Sequence, residues 1–546
     1  MRTLWRGGRV HTTAVRDASA VLLDGGVVAW VGDEDSAEAA AAQRDADAVV
    51  DLDGALVTPA FVDAHVHLTG TGLALTGLDL AGVTSGTDLL AVVAARAAAL
   101  PAGATVLGSG WDESAWSPPD RSGPAVPGAD ELERAAGGRP VYLARVDAHS
   151  ALVSAGVLAR VEASRVGWAA SGWLTRDAHH VAREATLGAM TPLDRRVAQD
   201  AALAHFAARG VGCVHECAGP TISSAHDLRD ALAARTGAVP EVIGYWAELA
   251  ADGGVGHALD LGAVGAAGDL FCDGSIGSHT AAFADPYRDA DTAGHTYLDL
   301  AAVVDHVVAC TEAGLQAGFH AIGDLAVSQV VDAVRLAGER LGRARVASAG
   351  HRIEHAEAVV DPDALAAAGL LASVQPAFDA TWGGPDGMYA ARLGAGRAAG
   401  LNRFAALAAA GVPLAFGSDT PVCGVDPWAA VRAAVHPRHG GPGLSPRAAF
   451  AAHTRGGWRA ARRDGDGSGT VTPGAPATLA VWAAGSLGVD APDERVSRWS
   501  TDPRAALPGL PDLAPDAELP RCLVTLVAGR VAHDAGGLDL PADLVS

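Results

Sequence analysis

Two histidines spaced one residue apart, His65 and His67, close an apolar stretch that begins near Thr58. Alternate residues of a β-strand point to the same side, so a strand entering this pair would present both imidazoles on one face. Imidazole nitrogens are common ligands of transition metals. The spacing therefore predicts that both side chains bind one divalent metal ion.

Further residues of ligand type follow other apolar segments of the chain. His320, His355 and Asp419 close such segments, and Asp269 opens another. A single histidine on a strand is usually a core residue, but the same residue types recur here at successive predicted strand ends. Nitrogen and carboxylate ligands suit Zn²⁺, and also Fe²⁺ or Mn²⁺. We expect one or two divalent ions, with zinc as the first choice.

The elements that must position these residues alternate along the middle of the chain. Apolar segments alternate with alanine-rich segments of helical spacing, for example 195–209 and 323–340, which predicts an α/β fold with parallel strands. Eight strands are predicted, at 56–62, 211–216, 241–246, 269–273, 315–320, 347–354, 370–375 and 413–418. Eight such units predict a (β/α)8 TIM barrel over 58–469, whose site lies at the carboxyl ends of the strands. The long gap after the first strand predicts an inserted subdomain at about 70–190.

Both ends of the chain are rich in predicted short strands. Ala20–Leu23 and Val27–Val31 flank an Asp-Gly turn, which is typical of a hairpin. Residues 470–546 show similar strand and turn patterns. The simplest arrangement is one small β-sandwich domain built from 1–57 and 470–546.

Composition excludes several functions. The chain has 546 residues, a formal net charge of -23 and no lysine, so all 40 basic residues are arginine. Lysine Schiff-base chemistry and the phosphate-binding loop of nucleoside triphosphatases are therefore excluded. The acidic balance argues against nucleic acid and anionic membranes as partners, and no segment is predicted to span a membrane. Six scattered cysteines and an amino-terminal segment without an apolar run predict a cytoplasmic protein with reduced thiols.

Seven motifs in order along the chain resemble the amidohydrolase superfamily, and within it the YtcJ-like group that includes N-substituted formamide deformylases. They are PAFVDAHVHL (59–68), VDAHSALVSAGVL (146–158), FCDGSIGSHTAAF (271–283), FHAIGDLAV (319–327), HRIEHAE (351–357), SVQPAF (373–378) and LAFGSDTPV (414–422). Together they are specific for the family, though not for a substrate.

The resemblance implies a metal-dependent hydrolase that cleaves a non-peptide C–N bond of a small molecule with activated water. His65 and His67 would hold the more buried metal, and His320 and His355 would serve a second position. Asp419 would be both a ligand and the catalytic proton acceptor. A linear amide or N-substituted formamide is the leading substrate class, and a cyclic amide or a deaminated heterocycle is the alternative. Family members are often oligomeric, so a homo-oligomer is also expected.

One position departs from the family pattern. The family usually has a lysine four residues before the Asp of its DGS motif, carboxylated to bridge two metals, and this chain has Asp269 there. The favoured interpretation is one metal bound by His65, His67, His320 and Asp419, with His355 contacting the water. Alternatively, Asp269 or Glu216 bridges two metals, a thiolate of Cys217 or Cys272 is a ligand, or the protein is a catalytically impaired metal-binding relative.

A last group of residues is predicted to line the substrate site. These residues lie in segments expected at the mouth of the barrel or beside a ligand: Trp111, Asp112, His149, His279 and Arg352. Arg352 and Glu354 flank the strand that leads to His355, and are also expected to orient a metal ligand.

Overall fold

The centre of the molecule is an eight-stranded parallel sheet. The computed structural model describes residues 1–100, 103–113, 116, 125–146, 150–188, 190–488 and 509–545. The strands of the central sheet are β1 (Phe61–Val66), β2 (Val211–Ala218), β3 (Glu241–Trp246), β4 (Gly265–Ala266), β5 (Gln316–Ala321), β6 (Arg352–His355), β7 (Leu371–Val374) and β8 (Leu414–Phe416). They pair in chain order from β1 to β8.

The sheet closes on itself beyond β8. The backbone N–H of Asp419 donates to the carbonyl of His65 at 2.9 Å, and the N–H of His67 donates to the carbonyl of Thr420 at 3.0 Å. These bonds join the segment after β8 to the end of β1. The predicted TIM barrel is therefore confirmed, and its closure fixes the first histidine pair beside Asp419.

Three predicted strands are displaced, each for an identifiable structural reason. Residues Leu56–Pro59 pair antiparallel with Leu479–Ala483 in a terminal sheet, and the barrel strand begins only at Phe61. Gly268, with φ +96°, turns the chain before Asp269, so β4 ends at Ala266 and the segment after it makes only a bridge from Phe271 to His320.

The sixth strand also begins later than predicted. Residues Arg343–Ser348 form a helix, and Gly350, with φ +66°, separates that helix from β6. Only Arg352–His355 of the predicted segment 347–354 is strand. The ligand-type residues nevertheless keep their places at the carboxyl ends of the strands.

Helices surround the barrel and follow most of its strands. Thr191 caps the helix before β2, because its hydroxyl accepts the N–H of Asp194 and the Asp194 carboxylate accepts the N–H of Thr191. The helices of this part of the chain are Pro192–Ala207, Ala225–Leu232, Gly254–Leu261, Leu300–Ala313, Asp324–Leu341, Arg343–Ser348, Pro362–Ala368, Pro376–Trp382, Met388–Leu393, Ala395–Ala398, Phe404–Ala409, Pro427–Val435, Pro446–Ala452 and Arg455–Ala460, with a 3-10 turn at Ala250–Asp252.

The two ends of the chain combine in a β-sandwich, as predicted. One sheet has the order Val27–Gly32, Ala20–Asp24, Arg2–Arg6 and Ala48–Asp51, and includes the predicted hairpin. The other has the order Arg9–Val10, Leu56–Pro59, Leu479–Ala483, Arg521–Val527 and Arg530–Asp534. A two-stranded sheet (Leu487–Gly488 and Leu510–Pro511) and the helices Ala37–Asp45 and Ala542–Val545 complete these segments. One apolar core joins the two main sheets.

An insertion follows β1 and has its own sheet. The strand order is Trp173–Thr175, Ser150–Val153, Val141–Arg145, Val106–Trp111 and Leu78–Asp79. Its helices are Leu68–Thr76, Gly86–Ala99, Ala129–Ala135, Ala155–Leu158 and Arg176–Leu187. We call Arg176–Leu187 the rim helix, because its residues line the cavity described below.

Across the part of the chain that the structure describes, every helix is too short or too polar to cross a membrane. The six cysteines are all buried and unpaired.

Candidate metal centre

The barrel brings the predicted metal ligands together at one end. His65 lies near the end of β1, and His67 follows that strand directly. His320 is the last residue but one of β5, and His355 is the last residue of β6. Asp269 follows β4 and Asp419 follows β8. All these positions are at the carboxyl ends of parallel strands, where TIM-barrel enzymes place their catalytic groups.

Asp269 lies at the centre of this cluster. Its Oδ1 is 3.4 Å from His65 Nε2, 3.5 Å from His320 Nδ1 and 3.5 Å from His355 Nε2. Its Oδ2 is 3.1 Å from His67 Nε2. Asp419 Oδ1 lies 3.1 Å from His67 Nε2 and 3.5 Å from His65 Nε2. One carboxylate therefore faces all four histidines.

Six buried atoms of the cluster residues lack a hydrogen-bond partner among the described residues. One is His67 Nδ1, and the other five each face another member of the cluster: His65 Nε2, Asp269 Oδ1, His320 Nδ1, His355 Nε2 and Asp419 Oδ1. Leaving buried polar atoms unsatisfied is costly, so such atoms are rare in folded proteins. Their convergence, and their nitrogen and oxygen chemistry, fit a divalent transition metal. The residues present therefore suit the group that the sequence predicted.

The electrostatics of the cluster couple its acids to its bases. Burial lowers the pKa of His67, but contacts with Asp269 and Asp419 outweigh it and raise the pKa to about 9. Burial raises the pKa of Asp419, but the neighbouring His65 and His67 hold it below the ordinary value. Burial also raises the pKa of Asp269, but His65, His320 and His355 outweigh it and hold that pKa well below its usual range. Without a metal, protons take the place of the cation at this site.

The grouping differs from the favoured one-metal interpretation. Two sets of potential ligands share Asp269: one contains His65, His67 and Asp419, and the other contains His320 and His355. The one-metal interpretation required His320 to belong to the first set. His320 lies outside that set, because β5 places it beside β6 and not beside β1.

The three alternative ligands were Glu216, Cys217 and Cys272. Glu216 lies outside both ligand sets, and the thiols of the two cysteines are buried. Glu216 accepts the backbone N–H of Leu68 at 2.6 Å and belongs to neither ligand set. Cys217 lies beside His65 and Glu354, and burial raises the pKa of its thiol to about 11. Burial also raises the pKa of Cys272 well above its usual range. Burial therefore favours the protonated thiol at both cysteines.

A buried charged network supports His65 from behind. Glu354 Oε2 is 3.0 Å from His65 Nδ1, and the guanidinium of Arg352 binds both oxygens of Glu354, one of them at 2.9 Å. Arg352 also donates to the carbonyl of Ala64 at 2.7 Å and to the hydroxyl of Ser373 at 3.0 Å. Arg352 and Glu354 have 0% of their surface exposed. The predicted orienting role of these two residues would therefore apply to His65, across the barrel from their own strand.

Three further residues hold the site and were not predicted. Gln375 Oε1 lies 2.8 Å from His355 Nδ1. Asp63 accepts the N–H of Ser418 at 2.8 Å, which ties β1 to the loop after β8. Asp273 accepts the N–H groups of Ala282, Ile322 and Gly323 at 2.8–3.0 Å. Each lies within a motif quoted above, so polar residues beside the ligands were the available signal.

The backbone at two ligands is strained. Asp419 has φ +56° and His355 has φ +69°, a region that residues other than glycine rarely occupy. Such conformations cost about 1–3 kcal/mol each and persist where the surrounding structure enforces them, often at functional sites. At Asp419, the enforcing contact is its N–H bond to His65.

A cavity of about 630 Å³ opens beside His67. It lies between the barrel and the insertion, since its wall includes Glu216 and Trp246 from the barrel and Val181 and Arg183 from the rim helix. His67 has the most exposed side chain among the described ligands, at 13%. The cavity therefore gives a small molecule access to the cluster.

The residues predicted to line the substrate site lie elsewhere. Trp111 is fully buried in the core of the insertion, where Nε1 donates to the carbonyl of Leu143 at 2.9 Å. Asp112 pairs with Arg145 at 2.9 Å. Arg352 lies beneath the cluster, so its expected contact with substrate is corrected to a contact with Glu354.

Two predicted lining residues remain. His279 Nε2 lies 2.9 Å from Asp289 Oδ1, away from this cavity. His149 is outside the described residues.

Comparison with known proteins places the chain in a family. Residues 48–533 match the sequence profile of the Amidohydrolase family. YtcJ of Bacillus subtilis (strain 168), which is named as an amidohydrolase, is 26% identical over 475 residues, covering 80% of this chain and 84% of YtcJ. The Arabidopsis thaliana protein LONG AFTER FAR-RED 3 is 28% identical over 421 residues, covering 71% of this chain and 69% of that protein.

Solved structures show the same architecture. An uncharacterized metal-dependent hydrolase from Pyrococcus furiosus superimposes with a TM-score of 0.71 at 25% identity, covering 88% of this chain and 98% of that one. The cluster at the barrel mouth, the family match over most of the chain and this fold agree with one another. The chain belongs to the amidohydrolase family, and it is a hydrolase.

Proposed function

We propose that this protein is a metal-dependent amidohydrolase that cleaves a linear amide or N-substituted formamide with activated water. The observation that carries the proposal is the convergence of five unsatisfied buried ligand atoms on the barrel mouth. We also propose that the enzyme acts on a small molecule in the cytoplasm, as its buried, unpaired cysteines suggest.

The two ligand sets support two metal positions that share Asp269. His65, His67 and Asp419 would hold one ion, and His320 and His355 would hold the other. Zinc suits these nitrogen and oxygen ligands best. A divalent metal, when bound, supplies a Lewis acid that activates water and polarises a carbonyl at neutral pH.

Asp419 is placed to move the proton. Its carboxylate is ionised at neutral pH because His65 and His67 lower its pKa against the effect of burial. Its Oδ1 has no hydrogen-bond partner among the described residues and lies 3.1 Å from Nε2 of His67, which lines the cavity. Asp419 would accept a proton from water and then deliver it to the leaving nitrogen, as a general base and acid.

Two buried side chains orient the histidines. Because Glu354 and Gln375 face the Nδ1 atoms of His65 and His355, each Nδ1 would carry the proton and leave Nε2 free as a ligand. His320 is oriented the other way, since Nε2 lies 3.2 Å from the carbonyl of Gly274 and Nδ1 is unsatisfied.

Metal analysis combined with a substrate panel tests this proposal. The protein, purified without chelator, should contain about two zinc-type ions per chain, and it should release amine from N-substituted formamides or N-acyl amines. Removing the metal should abolish activity, and adding Zn²⁺ should restore it. Turnover of cyclic amides alone would replace the linear substrate class. A chain that binds no transition metal would refute the proposal.

A further inference from the structure

The substrate cavity has a positively charged wall. The wall carries three arginines: Arg183 from the rim helix, Arg195 from the helix that precedes β2, and Arg229 from the helix that follows β2. His67 lines the same cavity. A substrate whose scissile group lies at His67 would therefore share this cavity with the arginines.

Only one of the three arginines is both sheltered and without a hydrogen-bond or ion-pair partner among the described residues. Arg195 donates to Asp230 at 2.8 Å, and Arg229 is exposed and contacts His226 at 3.4 Å. Arg183 is half-buried and makes no hydrogen bond or ion pair with any residue that the structure describes. It also lines a second, smaller cavity of about 90 Å³.

The acidic groups of the cavity do not neutralise Arg183. Glu216 accepts the N–H of Leu68, and Asp227 accepts the hydroxyl of Thr69 at 2.6 Å. Glu248 accepts from Trp246 and lies 2.7 Å from His257. The remaining two acids, Glu184 and Asp260, are exposed at the rim, where water screens their charge.

The lack of an acidic partner for Arg183 among the described residues matters because the protein as a whole is strongly acidic. With a net charge of -23, the chain as a whole repels anions. A partly desolvated arginine is the side chain best suited to bind a carboxylate, because its planar fork donates two parallel hydrogen bonds. Apolar side chains also line the cavity, including Val181, Ile222 and Leu261, and would accommodate the hydrocarbon between the two polar ends.

We infer that the substrate carries a carboxylate in addition to its scissile amide, and that Arg183 binds this carboxylate. This inference rests on the proposed function, since it assigns the substrate class of the same site. The substrate would be an N-acyl or N-formyl amino acid with the carboxylate separated from the amide by an apolar chain. Arg183 is then a specificity-determining residue.

Matched acids and esters test the inference. The probes are N-formyl ω-amino acids of increasing chain length, each beside its methyl ester, with the zinc-loaded enzyme. The wild type should prefer the acid of the best length, by about tenfold to a hundredfold in kcat/KM, as expected for a charge-assisted hydrogen-bonded pair. Arg183→Gln should lose that preference by raising KM for the acid while leaving the ester unchanged. Unchanged ester turnover shows that the variant is folded.

Arg165→Gln is the matched control, because Arg165 is an exposed arginine of the insertion that does not line the cavity. It should behave as the wild type. An equal preference for acid and ester in the wild type, or an equal loss of both in Arg183→Gln, would overturn the inference.

Calorimetry separates this inference from the proposed reaction. If the wild type turns over neither probe, the proposed reaction fails for this class, but binding of the acid and the ester is still measured. Binding of the acid that is lost in Arg183→Gln supports the carboxylate site. Equal binding of acid and ester, or binding that Arg183→Gln leaves intact, refutes it.

Discussion

The substitution Glu354→Gln tests how the buried network sets the metal centre. Glu354 accepts from Arg352 through both oxygens and faces His65 Nδ1 at 3.0 Å, and all three residues have 0% of their surface exposed. Glutamine keeps the shape but removes the charge and turns one acceptor into a donor. That amide N–H₂ must face either the guanidinium or the imidazole, both of which are donors.

Two effects of this substitution should be separable. Removing one partner of a fully buried ion pair costs about 3–5 kcal/mol, because the other charge stays buried and uncompensated. Loss of a carboxylate that orients a metal-binding histidine costs about 10–100-fold in metal affinity or activity. We therefore expect Glu354→Gln to lower the thermal midpoint of the metal-free protein and to weaken zinc binding in chelator competition.

A second variant distinguishes structure from orientation. In Arg352→Met combined with Glu354→Leu, the buried charges disappear together, and such replacements are often neutral or stabilising. Stability should return toward wild type, whereas zinc affinity should stay low because His65 Nδ1 still lacks its acceptor. The surface pair of Arg340 and Asp305 is the matched control, and Asp305→Asn should change neither quantity measurably. Wild-type zinc affinity in Glu354→Gln would refute this account of His65.

The remaining predictions concern the ligands themselves. Asp419→Asn should reduce turnover by at least about 10²-fold while most of the metal stays bound, as measured by product formation and metal analysis; undiminished turnover would remove Asp419 as the proton carrier. Asp269→Asn should lower the zinc content from about two ions toward one or none, and a stoichiometry that stays at two would exclude a bridging role. The pKa of His67, raised to about 9, means that a proton occupies the site below that pH and must leave when metal binds. Apparent zinc affinity should therefore rise by about tenfold per pH unit from about pH 6 to 9, and a flat profile in chelator competition would contradict the contact of His67 with the metal.

The sequence predicted the barrel and the ligands because both depend on local patterns. A fully buried parallel strand is a short apolar run, and a ligand at its end interrupts that run with a polar residue. His65, His67, His320 and His355 are all visible in this way. The boundaries of β1 and β6 were less predictable, since pairing with Leu479–Ala483 and the turn at Gly350 depend on distant or single residues.

The contacts between strands could not be predicted from the same patterns. Trp111 resembles a residue at the mouth of a site by its neighbours in sequence, but three-dimensional packing buries it against Trp116 and Trp173. Arg183 shows no motif at all. Its proposed role depends on the folded insertion, whose rim helix lines the same cavity as His67.

The chain has no lysine, so the centre lacks the carboxylated lysine that usually bridges two metals in this family. A carboxylated lysine reaches both metals by its length, whereas the side chain of Asp269 is several bonds shorter. Yet Asp269 Oδ1 lies within 3.5 Å of three histidines and Oδ2 lies 3.1 Å from the fourth. The histidines therefore surround the shorter acid closely enough for one carboxylate to serve both ligand sets. A compositional bias that removes the usual bridging residue is compatible with a complete metal centre, because the remaining ligands converge on the acid that replaced it.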